Sequence, residues 1–112
     1  MLLGNIGTMT QEENIQAYAR SIAQEFNPEQ IILFGSHARG DASSDSDVDL
    51  LVILPRHGKE RHEQTAEIYR RCHSNFPVDV IVRTRNEFQE SQSKNDWFMQ
   101  DIAREGKILH EA

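Results

Sequence analysis

Two aspartates, Asp47 and Asp49, stand at the start of an apolar run that covers residues 48–54. Side chains two positions apart on a β-strand point to the same face, so the two carboxylates are expected to lie together. Two charges at the start of a buried strand are costly unless a cation meets them. Ligation by oxygen atoms alone favours magnesium or manganese. The spacing therefore predicts a divalent-cation site.

A third carboxylate, Asp79, is the one charged residue in the apolar run 78–82. If this strand pairs with the strand of residues 48–54, Asp79 joins Asp47 and Asp49. Three carboxylates around metal ions about 3.5–4 Å apart are typical of in-line phosphoryl chemistry, where they stabilise the entering and leaving oxygens. The three aspartates are therefore predicted to be catalytic residues and metal ligands.

A candidate phosphate-binding turn, Gly35-Ser36, directly follows the apolar run 31–34. Glycine lets a phosphate approach the backbone, and the serine hydroxyl and nearby N–H groups can donate to it. Arg39 lies close enough in sequence to pair with the same phosphates. Each feature alone is common in ordinary turns and loops. Together, and in this order, they predict a nucleotide-binding site at Gly35, Ser36 and Arg39.

The elements that must position these residues follow from periodicity. Thr10 and Glu13 form a capping-box pattern before an amphipathic helix that ends ahead of Pro28. Apolar runs predict strands at 31–34, 48–54 and 78–82, and helical patterns predict helices at about 59–74, 85–91 and 95–104. The second helix is expected to bury Ala66, Ile68, Tyr69 and Cys72. Ile108-Leu109 is either a last strand or a docked tail. This order predicts an α/β fold with a small sheet covered by helices.

The whole chain has 112 residues and a formal net charge of −6, which predicts one domain and disfavours extended nucleic-acid binding. The single cysteine, Cys72, excludes an intrachain disulfide and a cysteine-based zinc site. The first ten residues lack a basic segment, and their apolar stretch is too short for a signal peptide or a membrane-spanning helix. We therefore expect a cytoplasmic protein with a flexible extension at 1–9 and one folded domain at 10–112, which the resemblance described next implies is a nucleotidyltransferase domain.

The segment GSHARGDASSDSDVDLLV resembles the nucleotidyltransferase signature of the DNA polymerase β superfamily, a Gly-Ser followed by Asp-x-Asp. Its spacing is similar to that of the minimal nucleotidyltransferases, and the resemblance extends from the first helix through VDVIV to REGKILHE. It implies a single domain of the nucleotidyltransferase fold, a small mixed sheet flanked by helices. It also implies that Asp47, Asp49 and Asp79 bind two Mg²⁺ ions, and that Gly35 and Ser36 hold the β- and γ-phosphates of ATP. His37 stands where many relatives carry Arg or another residue.

The resemblance also implies a function. Members of this family are encoded beside HEPN-domain ribonuclease toxins and act as type VII-like antitoxins that move AMP from ATP to a tyrosine of the toxin. A HEPN-domain toxin is therefore the expected partner in a hetero-oligomer. Two alternatives stay open: an antitoxin that acts by binding alone, and the catalytic subunit of a small-molecule nucleotidyltransferase.

Several other residues are given ordinary structural interpretations. Four histidines without metal-ligand spacing are expected to be solvated: His57, His62, His73 and His110. Trp97 and Phe98 are interpreted as core residues, with a partner surface as the alternative. Arg83 and Arg85 are further candidates for approaching the triphosphate.

Overall fold

A computed structural model describes residues 9–112 of the protein, so the expected extension at 1–9 lies outside the described residues except for Met9. The helices are α1 (Gln11–Phe26), α2 (Ser36–Arg39), α3 (Arg61–Arg71), α4 (Arg85–Ser93) and α5 (Trp97–Glu105). The strands are β1 (Gln30–Phe34), β2 (Val48–Ile53), β3 (Val78–Arg83) and β4 (Lys107–Glu111). The predicted elements are therefore present, and the C-terminal segment is a strand.

The four strands form one mixed sheet in the order β3-β2-β1-β4. β1 pairs antiparallel with both β2 and β4, whereas β2 and β3 are parallel. The parallel pair is connected through α3, as a parallel connection requires. This arrangement confirms the predicted small mixed sheet flanked by helices.

The sheet is covered on both faces because its central strands are apolar at nearly every position. Alternate residues such as Leu33, Leu50 and Val52 pack on one face against Ile22 of α1 and Ile68 of α3. The opposite face carries a second cluster, formed by Ile32, Phe34, Leu51, Ile53, Met99 and Ile102. The core is therefore divided by the sheet into an α1/α3 side and an α5 side.

The first helix begins and ends where the sequence predicts. The hydroxyl of Thr10 accepts a hydrogen bond from the Glu13 N–H at 3.1 Å, and the Glu13 carboxylate accepts one from the Thr10 N–H at 2.8 Å. The helix ends at Phe26, and Asn27 follows with a positive φ of 50°. These caps place α1 across the sheet.

The buried side of α3 differs from the predicted one. Ile68 and Cys72 are buried as expected, but Ala66 and Tyr69 are exposed, and Gln64 is buried instead. The Gln64 amide donates to the carbonyl oxygens of Pro55 and Arg56, so its burial is satisfied by hydrogen bonds. The prediction that Ala66 and Tyr69 belong to the buried side is therefore wrong.

Tyr69 has a different task at the sheet edge. Its hydroxyl donates to the carbonyl oxygen of Val78 at 3.2 Å and accepts from the N–H of Val80 at 2.8 Å. The phenol therefore satisfies outward-facing backbone groups of β3 that would otherwise be free to pair with another strand.

The contacts of α5 also correct the sequence analysis. Met99 and Ile102 face the sheet, whereas Trp97 is 77% exposed and Phe98 is 50% exposed. The core interpretation of Trp97 and Phe98 is therefore wrong, because the short helix turns only one narrow face to the sheet.

Within residues 9–112, none of the helices has the length and apolar character needed to cross a membrane.

Candidate functional site

The row of residues at one end of the sheet brings two of the predicted carboxylates together. Asp49 of β2 is opposite Phe34 of β1 and, on its other side, in register with Asp79 of β3. Adjacent strands lie about 4.8 Å apart, and residues in register point to the same face. Asp49 and Asp79 therefore stand side by side although thirty positions separate them.

Asp47 is placed differently. It lies just before β2, is exposed, and does not line the cavity described below. In the part of the chain that the structure describes, no three His, Cys, Asp or Glu side chains are close enough to hold a metal ion. The convergence of all three aspartates on metal ions stays a prediction, with the pair Asp49 and Asp79 as its structural basis.

The electrostatics of Asp49 fit a cation at this position. Burial raises the pKa of the Asp49 carboxyl, and the neighbouring carboxylates of Asp79 and Asp47 raise it further. His37 and Arg39 act in the opposite direction without cancelling this effect. Carboxylate oxygens that repel one another are stabilised by a hard divalent ion, for which oxygen ligands are preferred. The donor set therefore fits Mg²⁺.

Gly35 is required by the geometry of the turn after β1. Its φ is +76° and its ψ is −156°, a conformation essentially restricted to glycine. A Cβ at this position would lie 2.3 Å from Oδ2 of Asp49. The carbonyl oxygen of Gly35 accepts from the N–H groups of Ala38 and Arg39 at 3.0 and 3.1 Å, which starts α2. The glycine thus lets the turn backbone lie directly against the carboxylate.

The remaining predicted site residues lie on α2. Ser36 is half-buried beside Gly35. Arg39 lines the cavity, and its Nε donates to Asp41 at 3.2 Å in a pair whose side chains are 48% and 62% exposed. Such exposed ion pairs contribute little free energy to the folded state. The Arg39 guanidinium can therefore leave Asp41 and bind a phosphate at little cost.

His37, whose role the sequence left open, is directed elsewhere. Its Nε2 lies 3.1 Å from the carbonyl oxygen of Ser46, which connects α2 to the loop that precedes Asp47. Through this contact the His37 side chain holds the loop before Asp47 against α2.

The site opens into a cavity of about 440 Å³, a volume within the usual range for small-molecule sites. One side is formed by the predicted residues Gly35, Arg39, Asp49 and Asp79. The other side is formed by α5, through Phe98, Asp101, Ile102 and Glu105. Sequence reasoning missed the α5 side, although positions 98, 101, 102 and 105 follow the spacing of one helix face.

Two further sequence candidates lie away from this cavity. Arg83 is opposite Ile53 at the far end of β3 and donates to the carbonyl oxygen of Val82. Arg85 donates to Glu29 at 2.8 Å. Arg83 ends β3 and Arg85 begins α4, and neither lines the cavity, so the structure does not bring these arginines to the predicted phosphate-binding turn.

The chain belongs to the nucleotidyltransferase domain family, which matches residues 15–110. The matched range contains the Gly-Ser turn and all three aspartates. The predicted nucleotidyltransferase is thereby confirmed.

Curated relatives of this chain carry names that specify the type of nucleotidyltransferase. Over 104 residues, 91% of this chain and the full length of the relative, the chain is 24% identical to a protein of Methanocaldococcus jannaschii provisionally named protein adenylyltransferase MJ0604. It is 42% identical over 41 residues to the protein adenylyltransferase MntA of Thermococcus cleftensis, covering 37% of this chain and 41% of that protein. The similarity to the minimal nucleotidyltransferases predicted from the motif is confirmed by these matches.

Solved structures show the same fold. A provisionally named nucleotidyltransferase from Sulfolobus solfataricus superposes with a TM-score of 0.58 at 23% identity, over 76% of this chain and 84% of that one. A chain from a toxin–antitoxin crystal structure with AMP-PNP superposes with a TM-score of 0.57 at 20% identity, over 87% of this chain and 73% of that one.

Proposed function

We propose that this protein transfers AMP from ATP to a hydroxyl group of a partner protein, a tyrosine of a HEPN-domain ribonuclease toxin, and so acts as its antitoxin. The observation that carries the proposal is the row in which Asp49 and Asp79 stand side by side against the Gly35 turn. The names of the relatives, protein adenylyltransferase, and the toxin–antitoxin neighbour with AMP-PNP support it.

Each residue has a task in this reaction. The backbone at Gly35, the hydroxyl of Ser36 and the guanidinium of Arg39 would bind and orient the phosphates beside Asp49. Asp47, Asp49 and Asp79 would hold Mg²⁺, which when bound offsets the charge of the triphosphate and of the departing pyrophosphate. Asp79, the more exposed of the adjacent pair, would complete the metal site or accept the proton of the attacking hydroxyl as pyrophosphate leaves.

One observation favours a second candidate, an antitoxin that acts by binding alone. Asp47 is exposed and outside the cavity, and residues 9–112 contain no assembled three-ligand metal cluster. A site that never assembles would leave the protein as a binding partner without catalysis. The two candidates differ in whether silencing of the toxin needs the aspartates.

The test is a labelling assay with the purified protein, MgCl₂, ATP labelled at the α-phosphate and a purified HEPN-domain toxin. We expect label on the toxin, at a tyrosine identified by mass spectrometry, and loss of toxin ribonuclease activity. The double variant Asp47→Asn/Asp49→Asn should abolish labelling. Asp45→Asn is the matched control, because Asp45 is an exposed aspartate of the same loop that does not line the cavity.

Three results would contradict the proposal in different ways. Silencing of the toxin by the double variant, without label, supports binding alone. Label that passes only to small hydroxyl compounds indicates a small-molecule nucleotidyltransferase. Equal loss of labelling in Asp45→Asn would show that the loop, and not the two ligands, was disturbed.

A further inference from the structure

Phe98 is a large aromatic side chain that the core does not use. It stands at the first turn of α5, is 50% exposed, and lines the cavity. Its ring meets that of Phe34 edge to face, with centroids 5.5 Å apart and planes at 83°. Phe34 is the last residue of β1 and directly precedes Gly35. One apolar corner of the cavity is therefore continuous with the turn proposed to bind phosphate.

The charges divide the cavity into two parts. Arg39 and the Gly35 turn form one part together with Asp49 and Asp79, the carboxylates proposed to hold Mg²⁺, whereas α5 contributes the carboxylates of Asp101 and Glu105 to the other. Arg104 pairs with Asp101 and lies 3.8 Å from Glu105, but it does not line the cavity. A triphosphate carried with Mg²⁺ would be attracted to the side that holds Arg39 and the proposed metal ligands, whereas the α5 carboxylates, only partly offset by Arg104, have no role in holding that cation. The uncharged base of a nucleotide has no charge conflict with the α5 carboxylates.

We infer that the face of the Phe98 ring left free by Phe34 stacks against the base of the bound nucleoside triphosphate, which makes α5 the base-binding side of the cavity. This inference rests on the proposed function, because it needs the triphosphate to lie on the Gly35 turn. The edge-to-face contact with Phe34 holds the Phe98 ring in a fixed orientation, and a fixed ring loses little freedom when a base stacks on it.

The neighbouring residue provides a matched control. Trp97 is also aromatic, also at the start of α5, and more exposed than Phe98, but it does not line the cavity. A base that merely adhered to exposed aromatic surface would depend on Trp97 at least as much as on Phe98. A base in the cavity would depend on Phe98 alone.

The experiment measures the binding of two probes by isothermal titration calorimetry in MgCl₂. The probes are α,β-methylene-ATP, which cannot transfer AMP, and inorganic tripolyphosphate, which has no base. Wild type is compared with Phe98→Ala, Phe98→Trp and Trp97→Ala, each checked for folding by circular dichroism. Base–aromatic stacking has the strength to change affinity by about 10-fold or more.

We expect Phe98→Ala to bind the ATP analogue about 10-fold more weakly and tripolyphosphate as well as wild type does. Phe98→Trp should keep the affinity for the analogue, and Trp97→Ala should change neither affinity. The inference is overturned if Phe98→Ala binds the analogue like wild type, if Trp97→Ala loses as much, or if Phe98→Ala loses both probes equally. If the wild-type protein binds neither probe, the proposed function fails, and the inference fails with it.

Discussion

The substitution Gly35→Ala tests the geometry of the site most directly. The added Cβ would lie 2.3 Å from Oδ2 of Asp49, whereas ordinary contacts begin at 3.4 Å. The carboxylate must therefore move by about 1 Å, a displacement that costs on the order of 100-fold in rate when it misplaces a reacting group. The backbone conformation of Gly35, with φ +76° and ψ −156°, adds strain, which costs on the order of 1–3 kcal/mol for a residue other than glycine.

Gly58→Ala separates the two effects. Gly58 also has a positive φ, +78°, but within residues 9–112 no atom lies within 4 Å of the position its Cβ would take. Gly58→Ala should therefore melt about 5–15 °C below wild type, since 1 kcal/mol corresponds to roughly 4–8 °C in a domain of this size. Gly35→Ala should lose at least as much, because the clash with Asp49 is added to the backbone strain. Only Gly35→Ala should lose AMP transfer.

The assay combines thermal melts by circular dichroism with label transfer from ATP, measured at a temperature where all three proteins are folded. Activity of Gly35→Ala within a factor of three of that of Gly58→Ala would refute the reasoning, because it would show that the position of Asp49 beside the turn is not needed.

Three further predictions concern charge and burial. Asp49→Asn should reduce AMP transfer at least about 100-fold. Its melting temperature without metal should equal or exceed that of wild type, because the substitution removes a half-buried carboxylate that Asp79 and Asp47 repel. A lower melting temperature would contradict this. Within residues 9–112 the buried Tyr18 hydroxyl has no hydrogen-bond partner, and burial raises its pKa to about 12. The tyrosine of the unfolded chain ionises first, so the stability of the folded protein falls as the pH rises above 10. In alkaline unfolding curves Tyr18→Phe should therefore lose less stability than wild type. Burial raises the pKa of Glu87, but hydrogen bonds from Thr84 and Arg56 leave it below 4.5; Glu87→Gln should therefore lower the melting temperature by about 4–8 °C at pH 7, from a loss near 1 kcal/mol. That difference should shrink as the pH falls below 4.5, because the wild-type carboxylate then becomes protonated.

The two carboxylates at the centre of the site have unequal surroundings, which bears on their roles. Asp49 is half-buried between strands and against Gly35, whereas Asp79 is on the edge strand and exposed. The Asp49 carboxylate, which is packed on several sides, is suited to bind a metal ion at a fixed position. A group at the edge is accessible to an acceptor that arrives from solvent. The role of proton acceptor that is proposed for Asp79 rests on this difference.

The amino-acid sequence by itself determined the local features of the protein. The capping residues Thr10 and Glu13 and the β-branched runs of β2 and β3 act over a few positions, so their elements are visible without a fold. The Gly35-Ser36 turn and the Asp-x-Asp spacing are local in the same sense. They sufficed to predict the fold class and a metal-dependent phosphoryl chemistry, and the resemblance of this segment to a known family implied the nucleotidyltransferase activity.

Only the tertiary structure decided which distant residues meet. The register that puts Asp79 beside Asp49 depends on the parallel pairing of β2 with β3, and no local pattern specifies a register across thirty residues. The α5 side of the cavity and the exposure of Phe98 depend on which face of that helix rests on the sheet. Gln64 can be buried because its amide donates hydrogen bonds to two carbonyl oxygens of the turn before α3. Such contacts arise from packing between elements, and packing is fixed only when all the elements are assembled.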